Sequence, residues 1–188
     1  MTAPAYAELG VRTNFSFLEG ASHPGEMVRQ ARALGLAAIG VADRNTLAGV
    51  VRAHIAAKET GLRLLVGCRL VFTDGTELIV FPRDRAAYGR LCRLLSMGKS
   101  EVVEDACEGA VRIEKGETRL DFDQARGLGE GLIALTPAPE TPDDAFETRL
   151  KAWREAWPDR FFKRFSYVFV KCCSSSSSSF YVTYGFFI

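Results

Sequence analysis

The chain has 188 residues, of which 47% are hydrophobic and 25% charged, and 24 Lys and Arg against 23 Asp and Glu give a formal net charge of +1. This mix excludes wholesale disorder, and the near-neutral balance gives no argument for a basic nucleic-acid-binding surface. Five scattered cysteines without a C-x-x-C pair favour a reducing compartment. The N-terminus lacks a signal-peptide pattern, and no apolar run reaches the roughly 18 residues of a spanning helix. We therefore expect a cytoplasmic protein with no membrane partner.

Short apolar segments alternate with helical patterns at the start of the chain. Residues 9–11 predict a strand, residues 22–35 a helix ended by glycine, and residues 36–41 a buried strand. A second helix is predicted over residues 47–58 and a further strand over residues 64–66. This order predicts parallel βαβ units, in which chemistry collects at the carboxyl ends of the strands.

A hairpin follows these units. Residues 70–72 and 77–81 flank an Asp74-Gly75 dipeptide, which is a strong turn signal between two strands. Asp84 can then cap a third helix.

The pattern weakens between residues 100 and 119, where glutamates dominate. We interpret this segment as a surface loop or a loose helix. A strand over residues 132–135 and a helix from Asp143 or Asp144 to about Trp157 follow it.

The composition changes after residue 160. Residues 161–188 hold seven of the 13 phenylalanines, the Cys172-Cys173 pair and the six serines Ser174–Ser179, but no acidic residue. Such a break is typical of a linker, a tail or a non-homologous end. We expect a truncated domain over residues 6–160 and an anomalous tail over residues 161–188, outside the fold, which a frameshift or a truncated reading frame would produce.

Four segments in order together resemble one family. They are residues 9–24 (LGVRTNFSFLEGASHP), 40–54 (GVADRNTLAGVVRAH), 61–70 (GLRLLVGCRL) and 84–95 (DRAAYGRLCRLL). They are similar to the PHP (polymerase and histidinol phosphatase) domain at the N-terminus of bacterial error-prone DNA polymerases, which are related to the replicative polymerase III alpha subunit. The resemblance implies an α/β fold, a partial distorted (β/α)7 barrel of PHP type with a non-family C-terminal tail.

The resemblance also places a metal site, whose ligands are replaced in this chain. Metal-dependent members of the family hold divalent metals with His, Asp and Glu. At the matching positions this sequence has Gly10 and Arg12 for a His-x-His pair, Asp43 and Arg44 for Asp-His, and Arg69 for a glutamate. Glycine has no ligand atom, and a protonated guanidinium has no lone pair to donate and repels a divalent cation. We therefore expect a degenerate site with no metal and no catalytic residue.

Two interpretations of these three arginines stay open. They can form salt bridges with Glu8, Glu19 and Asp43, since buried charges must be paired. Alternatively, they can bind an anion such as phosphate, pyrophosphate or a nucleic-acid backbone. The only two histidines, His23 and His54, are expected in a capping turn and mid-helix, where they do not replace the lost ligands.

Three hypotheses for function follow. The first, which the replaced ligands favour, is the N-terminal PHP portion of an error-prone DNA polymerase, acting as a non-catalytic scaffold in damage-induced mutagenesis and translesion synthesis. The second is a stand-alone metal-dependent phosphoesterase or exonuclease, and the third is a truncated remnant without activity. For the first, the resemblance implies that the partner is the polymerase body and that DNA is reached only through the full-length polymerase. It also implies that Mg2+ serves the parent DNA-directed DNA polymerase rather than this fragment, for which we expect no cofactor.

Overall fold

The computed structural model describes residues 6–100, 102–105, 109–112, 117–137, 144–157, 161–163, 168–169, 182–183 and 185–186. These residues belong to two compact units. The first unit falls within Met1–Cys68 and Arg164–Ile188, and the second within Arg69–Lys163.

The helices and strands follow one another in this order: β1 (Ala7–Val11), α1 (Pro24–Ala33), β2 (Ala38–Arg44), α2 (Val50–Thr60), β3 (Arg63–Val71), β4 (Glu77–Pro82), α3 (Arg85–Ser100), β5 (Val102–Asp105), β6 (Gly109–Arg112), α4 (Phe122–Leu128), β7 (Leu132–Thr136), α5 (Asp144–Ala156), β8 (Phe161–Lys163), β9 (Val168–Phe169), β10 (Val182–Thr183) and β11 (Gly185–Phe186).

The first unit is built on parallel strands covered by two helices. Strand β2 lies between β1 and β3, and β1 pairs with it in parallel, with a register shift between Leu9 and Val11. Helices α1 and α2 bury Val28 and Ala53 against Ile39 of β2 in one apolar core. The predicted alternation of strand and helix is therefore confirmed for this unit.

Local sequence signals set the ends of both helices. Pro24 opens α1, where its missing N–H costs no hydrogen bond, and the backbone N–H of His23 donates to Glu26 Oε2 at 2.9 Å. Gly61 ends α2 with φ +68°, a left-handed conformation that favours glycine.

The second unit contains an antiparallel hairpin and its neighbours. Strands β3 and β4 are adjacent, and Gly75 takes φ +79° in the turn between them, as the Asp-Gly signal predicts. Strand β7 pairs antiparallel with β4 and parallel with β8. Leu78 of β4 and Leu91 and Leu94 of α3 are fully buried, so α3 turns an apolar face to the core of this unit.

Two of the predicted elements are wrong. Strand β3 continues through Gly67 to Val71, where we expected one strand to end and another to begin, and all of residues 67–71 are buried. The acidic stretch holds an antiparallel pair, β5 and β6, rather than a loop or a loose helix. Helix α4 is an element that the sequence interpretation missed.

That residues 161–188 form a tail outside the fold stays a prediction. Two residues of β11 pair antiparallel with β1, matching Ala7 with Phe186 and Glu8 with Gly185, and β9 pairs with β10. The cysteine pair and the run Ser174–Ser179 lie outside the described residues. Among the residues described, no helix is long and apolar enough to cross a bilayer.

Two glycines of α3 provide a matched test of packing in the second unit. A Cβ on Gly98 would lie 2.5 Å from Leu120 Cδ2 and 2.6 Å from the Arg119 carbonyl oxygen, whereas a Cβ on exposed Gly89 would meet nothing within 4 Å. We expect Gly98→Ala to lower the free energy of unfolding by about 1–3 kcal/mol through overpacking. Gly89→Ala should raise it by about 0.5–1 kcal/mol through helix propensity. Urea denaturation followed by circular dichroism measures both, and equal effects of the same sign would contradict this packing.

Candidate functional site

The carboxylate of Asp43 lies at the end of β2 and is 2% exposed. Its Oδ1 accepts hydrogen bonds from the Thr13 backbone N–H at 2.6 Å and from Ser16 Oγ at 2.7 Å. Its Oδ2 accepts a third from Thr13 Oγ1 at 2.8 Å. Both carboxylate oxygens are therefore bonded to donors from the loop after β1, which compensates the burial of the charge.

This loop, residues 12–23, is fastened to the sheet by further bonds. The backbone N–H of Arg44 donates to Ser16 Oγ at 3.1 Å, so the Ser16 hydroxyl joins two successive residues of β2. Within the loop, the Asn14 N–H donates to the Ser22 carbonyl and the Gly20 N–H to the Ser16 carbonyl, both at 2.9 Å. The loop is thus closed on itself and held at the carboxyl end of β2.

Glu19 joins two of the predicted arginines. Arg12 Nη1 lies 3.1 Å from Glu19 Oε2, and Arg44 Nη1 lies 2.6 Å from Glu19 Oε1. The side chain of Arg12 is 29% exposed, that of Arg44 49% and that of Glu19 20%. Water therefore screens part of the electrostatic attraction within both ion pairs. Glu19 was one of the counter-charges expected from the sequence, and one carboxylate here serves two cations.

Arg69 belongs to the second unit and has a different partner. Its side chain is 1% exposed, and its Nη1 lies 2.7 Å from Glu77 Oε2 on the neighbouring strand β4. Its Nε and Nη2 have no hydrogen-bond partner among the residues that the structure describes. The sequence interpretation missed Glu77, although the Asp74-Gly75 hairpin places it on the strand beside Arg69.

The remaining predicted positions offer no metal ligand that converges on Asp43. Gly10 takes φ +89° at the register shift in β1 and has no side-chain donor atom. His23 and His54 are exposed, His23 with its Nδ1 3.1 Å from Asn14 Nδ2 and His54 on α2. In the described part of the chain, no three His, Cys, Asp or Glu side chains are grouped so that they could hold a metal ion.

Comparison with known proteins identifies the family. Residues 8–163 match the family model of the PHP domain. The chain belongs to the PHP domain family. The predicted family and the predicted α/β fold of PHP type are thereby confirmed.

Curated relatives of this PHP domain are much longer proteins. It is 47% identical over 166 residues to error-prone DNA polymerase 1 of Agrobacterium fabrum, a match that covers 88% of this chain and 14% of that protein. It is 60% identical over 144 residues to the error-prone DNA polymerase of Rhodopseudomonas palustris (strain BisB5), covering 74% of this chain and 12% of that protein. The chain therefore spans only a small part of the length of these relatives.

Two solved structures share the fold of this PHP domain. One is a protein from Bifidobacterium adolescentis described as a metal-dependent phosphoesterase, with a TM-score of 0.59, 16% identity and coverage of 86% of this chain and 77% of that one. The other is an amidohydrolase from Chromobacterium violaceum with bound sulfate and no metal, with a TM-score of 0.56, 17% identity and coverage of 84% and 76%.

The residues at the PHP positions do not fit a divalent metal. Both oxygens of Asp43 are engaged by loop donors, and the guanidinium groups of Arg12 and Arg44 flank Glu19. Arginine cannot donate a lone pair, and two adjacent cations disfavour a third. Instead, the hydrogen bonds from Thr13 and Ser16 to Asp43 hold the loop after β1 at the end of β2.

The role of Asp43 as an acceptor gives a testable consequence. Asp43→Asn keeps the shape of the side chain but replaces one acceptor oxygen by a donor, which leaves at least one buried loop donor without a partner. We expect a loss of about 2–3 kcal/mol in the free energy of unfolding. Asp123→Asn, on the exposed surface of α4, is the matched control and should change it by less than about 0.5 kcal/mol. Chemical denaturation compares the two, and equal small losses would exclude this role of Asp43.

Proposed function

We propose that this chain is the N-terminal PHP portion of an error-prone DNA polymerase that acts in the cytoplasm in DNA-damage-induced mutagenesis and translesion synthesis. The identities of 47% and 60% to proteins of that name, over most of the chain, support the assignment. In this proposal the polymerase body is the partner, and DNA repair and replication involve this chain only through the full-length protein. The nucleotidyl transfer that needs Mg2+ belongs to that body.

We further propose that this portion is a non-catalytic scaffold. The observation that supports it is the saturation of Asp43, the one acidic side chain kept at the family's metal positions, by Thr13 and Ser16. Three short hydrogen bonds hold the loop after β1 and occupy both oxygens of this carboxylate. The alternative is a metal-dependent phosphoesterase, the activity in the description of the Bifidobacterium adolescentis protein.

Metal binding and hydrolysis distinguish these two functions. The 188-residue chain is purified with and without EDTA, and its metal content and melting temperature are measured with added Mn2+ or Zn2+. For the scaffold we expect far less than one metal per chain, no effect of EDTA, and a melting temperature that changes by less than about 1 °C at millimolar metal, since a ligand stabilises only the state that binds it. Stoichiometric metal together with hydrolysis of p-nitrophenyl phosphate would establish the phosphoesterase instead.

A second proposal concerns anion binding by the arginines of the degenerate site. Arg12 and Arg44 share the carboxylate of Glu19, whereas Arg69 pairs with Glu77 through Nη1 alone and keeps a second edge of its guanidinium for an anion. Its Nε and Nη2 form one edge of the guanidinium and have no partner among the described residues. That edge suits two oxygens of a phosphate or sulfate group, and the Chromobacterium violaceum protein of the same fold holds sulfate without a metal.

Thermal shift in inorganic phosphate tests this second proposal. With a dissociation constant near 1 mM, about 10 mM phosphate stabilises the folded state by ~1.4 kcal/mol. We expect this shift in the unchanged chain and in Arg63→Met, which replaces an exposed arginine of the same strand. Arg69→Met should lose it. A shift of equal size in Arg69→Met, or no shift in the unchanged chain, would rule out Arg69 as an anion site.

A further inference from the structure

The loop after β1 exposes two adjacent apolar side chains. Phe17 is 84% exposed and Leu18 is 90% exposed, more than any other large hydrophobic residue among those described. We call this pair the apolar tip. Single exposed hydrophobic residues are ordinary, but two in sequence, presented together at the end of a closed loop, have the form of an interaction site.

The backbone of the apolar tip is also held in an unfavourable conformation. Leu18 has φ +61°, the left-handed region that L-residues with a Cβ avoid. The Glu19 N–H donates to the Ser16 carbonyl at 2.9 Å, which places Leu18 at the third position of a tight turn, where glycine is the usual residue. A leucine here is therefore unfavourable both for its backbone conformation and for the exposure of its apolar side chain to water.

The rest of the loop holds the apolar tip rigidly. Ser16, directly before the tip, donates a hydrogen bond to Asp43, and Glu19, directly after it, forms ion pairs with Arg12 and Arg44. Gly20 packs so closely on the Thr13 carbonyl that a Cβ has no room. A binding segment that is ordered in advance loses little conformational entropy on binding, and a rigid aromatic and aliphatic pair is typical of an interface anchor.

The charges beside the apolar tip indicate the character of its partner. Directly after the tip, Glu19 pairs with both Arg12 and Arg44, so this cluster carries one net positive charge, and the Arg44 side chain is 49% exposed. The complementary surface is an apolar pocket with carboxylates at its rim. In the relatives, the part that matches this chain is only 12–14% of the length. The remaining polypeptide of such a protein is a source for this pocket.

We propose that the apolar tip inserts into an acidic-rimmed apolar pocket on the polymerase body of the same full-length protein. This inference rests on the proposed function, since it names the surface through which the scaffold contacts that body. It identifies Phe17 and Leu18 as anchors and the network around Asp43 as the support that positions them.

Thiol labelling in a chimera tests the contact directly. The chain replaces the segment to which it aligns in the full-length Rhodopseudomonas palustris (strain BisB5) polymerase, and Phe17→Cys is labelled with a maleimide in both the chimera and the isolated 188-residue chain. The matched control is Val51→Cys on α2, a site that is 66% exposed. Labelling of the unsubstituted proteins corrects for native thiols. We expect labelling at position 17 to slow at least about tenfold in the chimera, a factor that corresponds to ~1.4 kcal/mol, with little change at position 51.

A second variant separates binding from folding. Leu18→Gly removes both the apolar side chain and the backbone penalty, so the melting temperature of the isolated chain should stay the same or rise. In the chimera the same change should lower the melting temperature, because a docking contact is lost.

The outcomes distinguish this inference from the proposed function. A chimera without primer-extension activity would overturn the proposed function and the inference with it. An active chimera with no protection at position 17, or with equal protection at positions 17 and 51, would overturn the inference alone. Protection that depends on concentration in the isolated chain would assign the apolar tip to a second copy of this chain and would also overturn it.

Discussion

The buried charge of Asp43 is the constraint on which the first unit depends. A carboxylate that is 2% exposed is costly unless donors surround it. Thr13 and Ser16 supply those donors from the loop after β1, so the loop must lie across the end of β2. The position of Glu19 follows, and with it the pairing of the two arginines on either side. The solvation of one carboxylate thus determines the geometry of the loop after β1.

The sequence predicts the regular elements of the first unit well because their signals are local. The apolar runs and the glycines at the helix ends specify where β2 and α1 begin and end. The prediction is wrong at β3 because an arginine after Gly67 looks like the end of a strand. Glu77, on the adjacent strand, neutralises Arg69 and allows the strand to continue through a buried position. Which residues face each other across the hairpin depends on its register. The periodicity of a single strand does not reveal that register.

For a related reason, the sequence predicted the charged partner in the candidate site but not the hydroxyl donors. Charge complementarity identified Glu19 as a partner of the arginines, since opposite charges can be recognised in a sequence. Nothing in the sequence marked Thr13 and Ser16, because hydroxyl groups are found in most loops and their role depends on where the chain folds back. Neutral donors can satisfy a buried carboxylate as fully as a cation does, and that solution is visible only in three dimensions.

The hydroxyl donors around Asp43 also explain how Leu18 can hold its conformation. A turn with a leucine at positive φ relaxes unless its two ends are fixed, and here Ser16 fixes one end and Glu19 the other. The hydrogen bonds to Asp43 and the ion pairs of Glu19 therefore also hold the segment that presents two apolar side chains to solvent. In the first unit, the bonds of Asp43 and Glu19 hold the loop after β1, and this support fixes the position of the exposed Phe17 and Leu18.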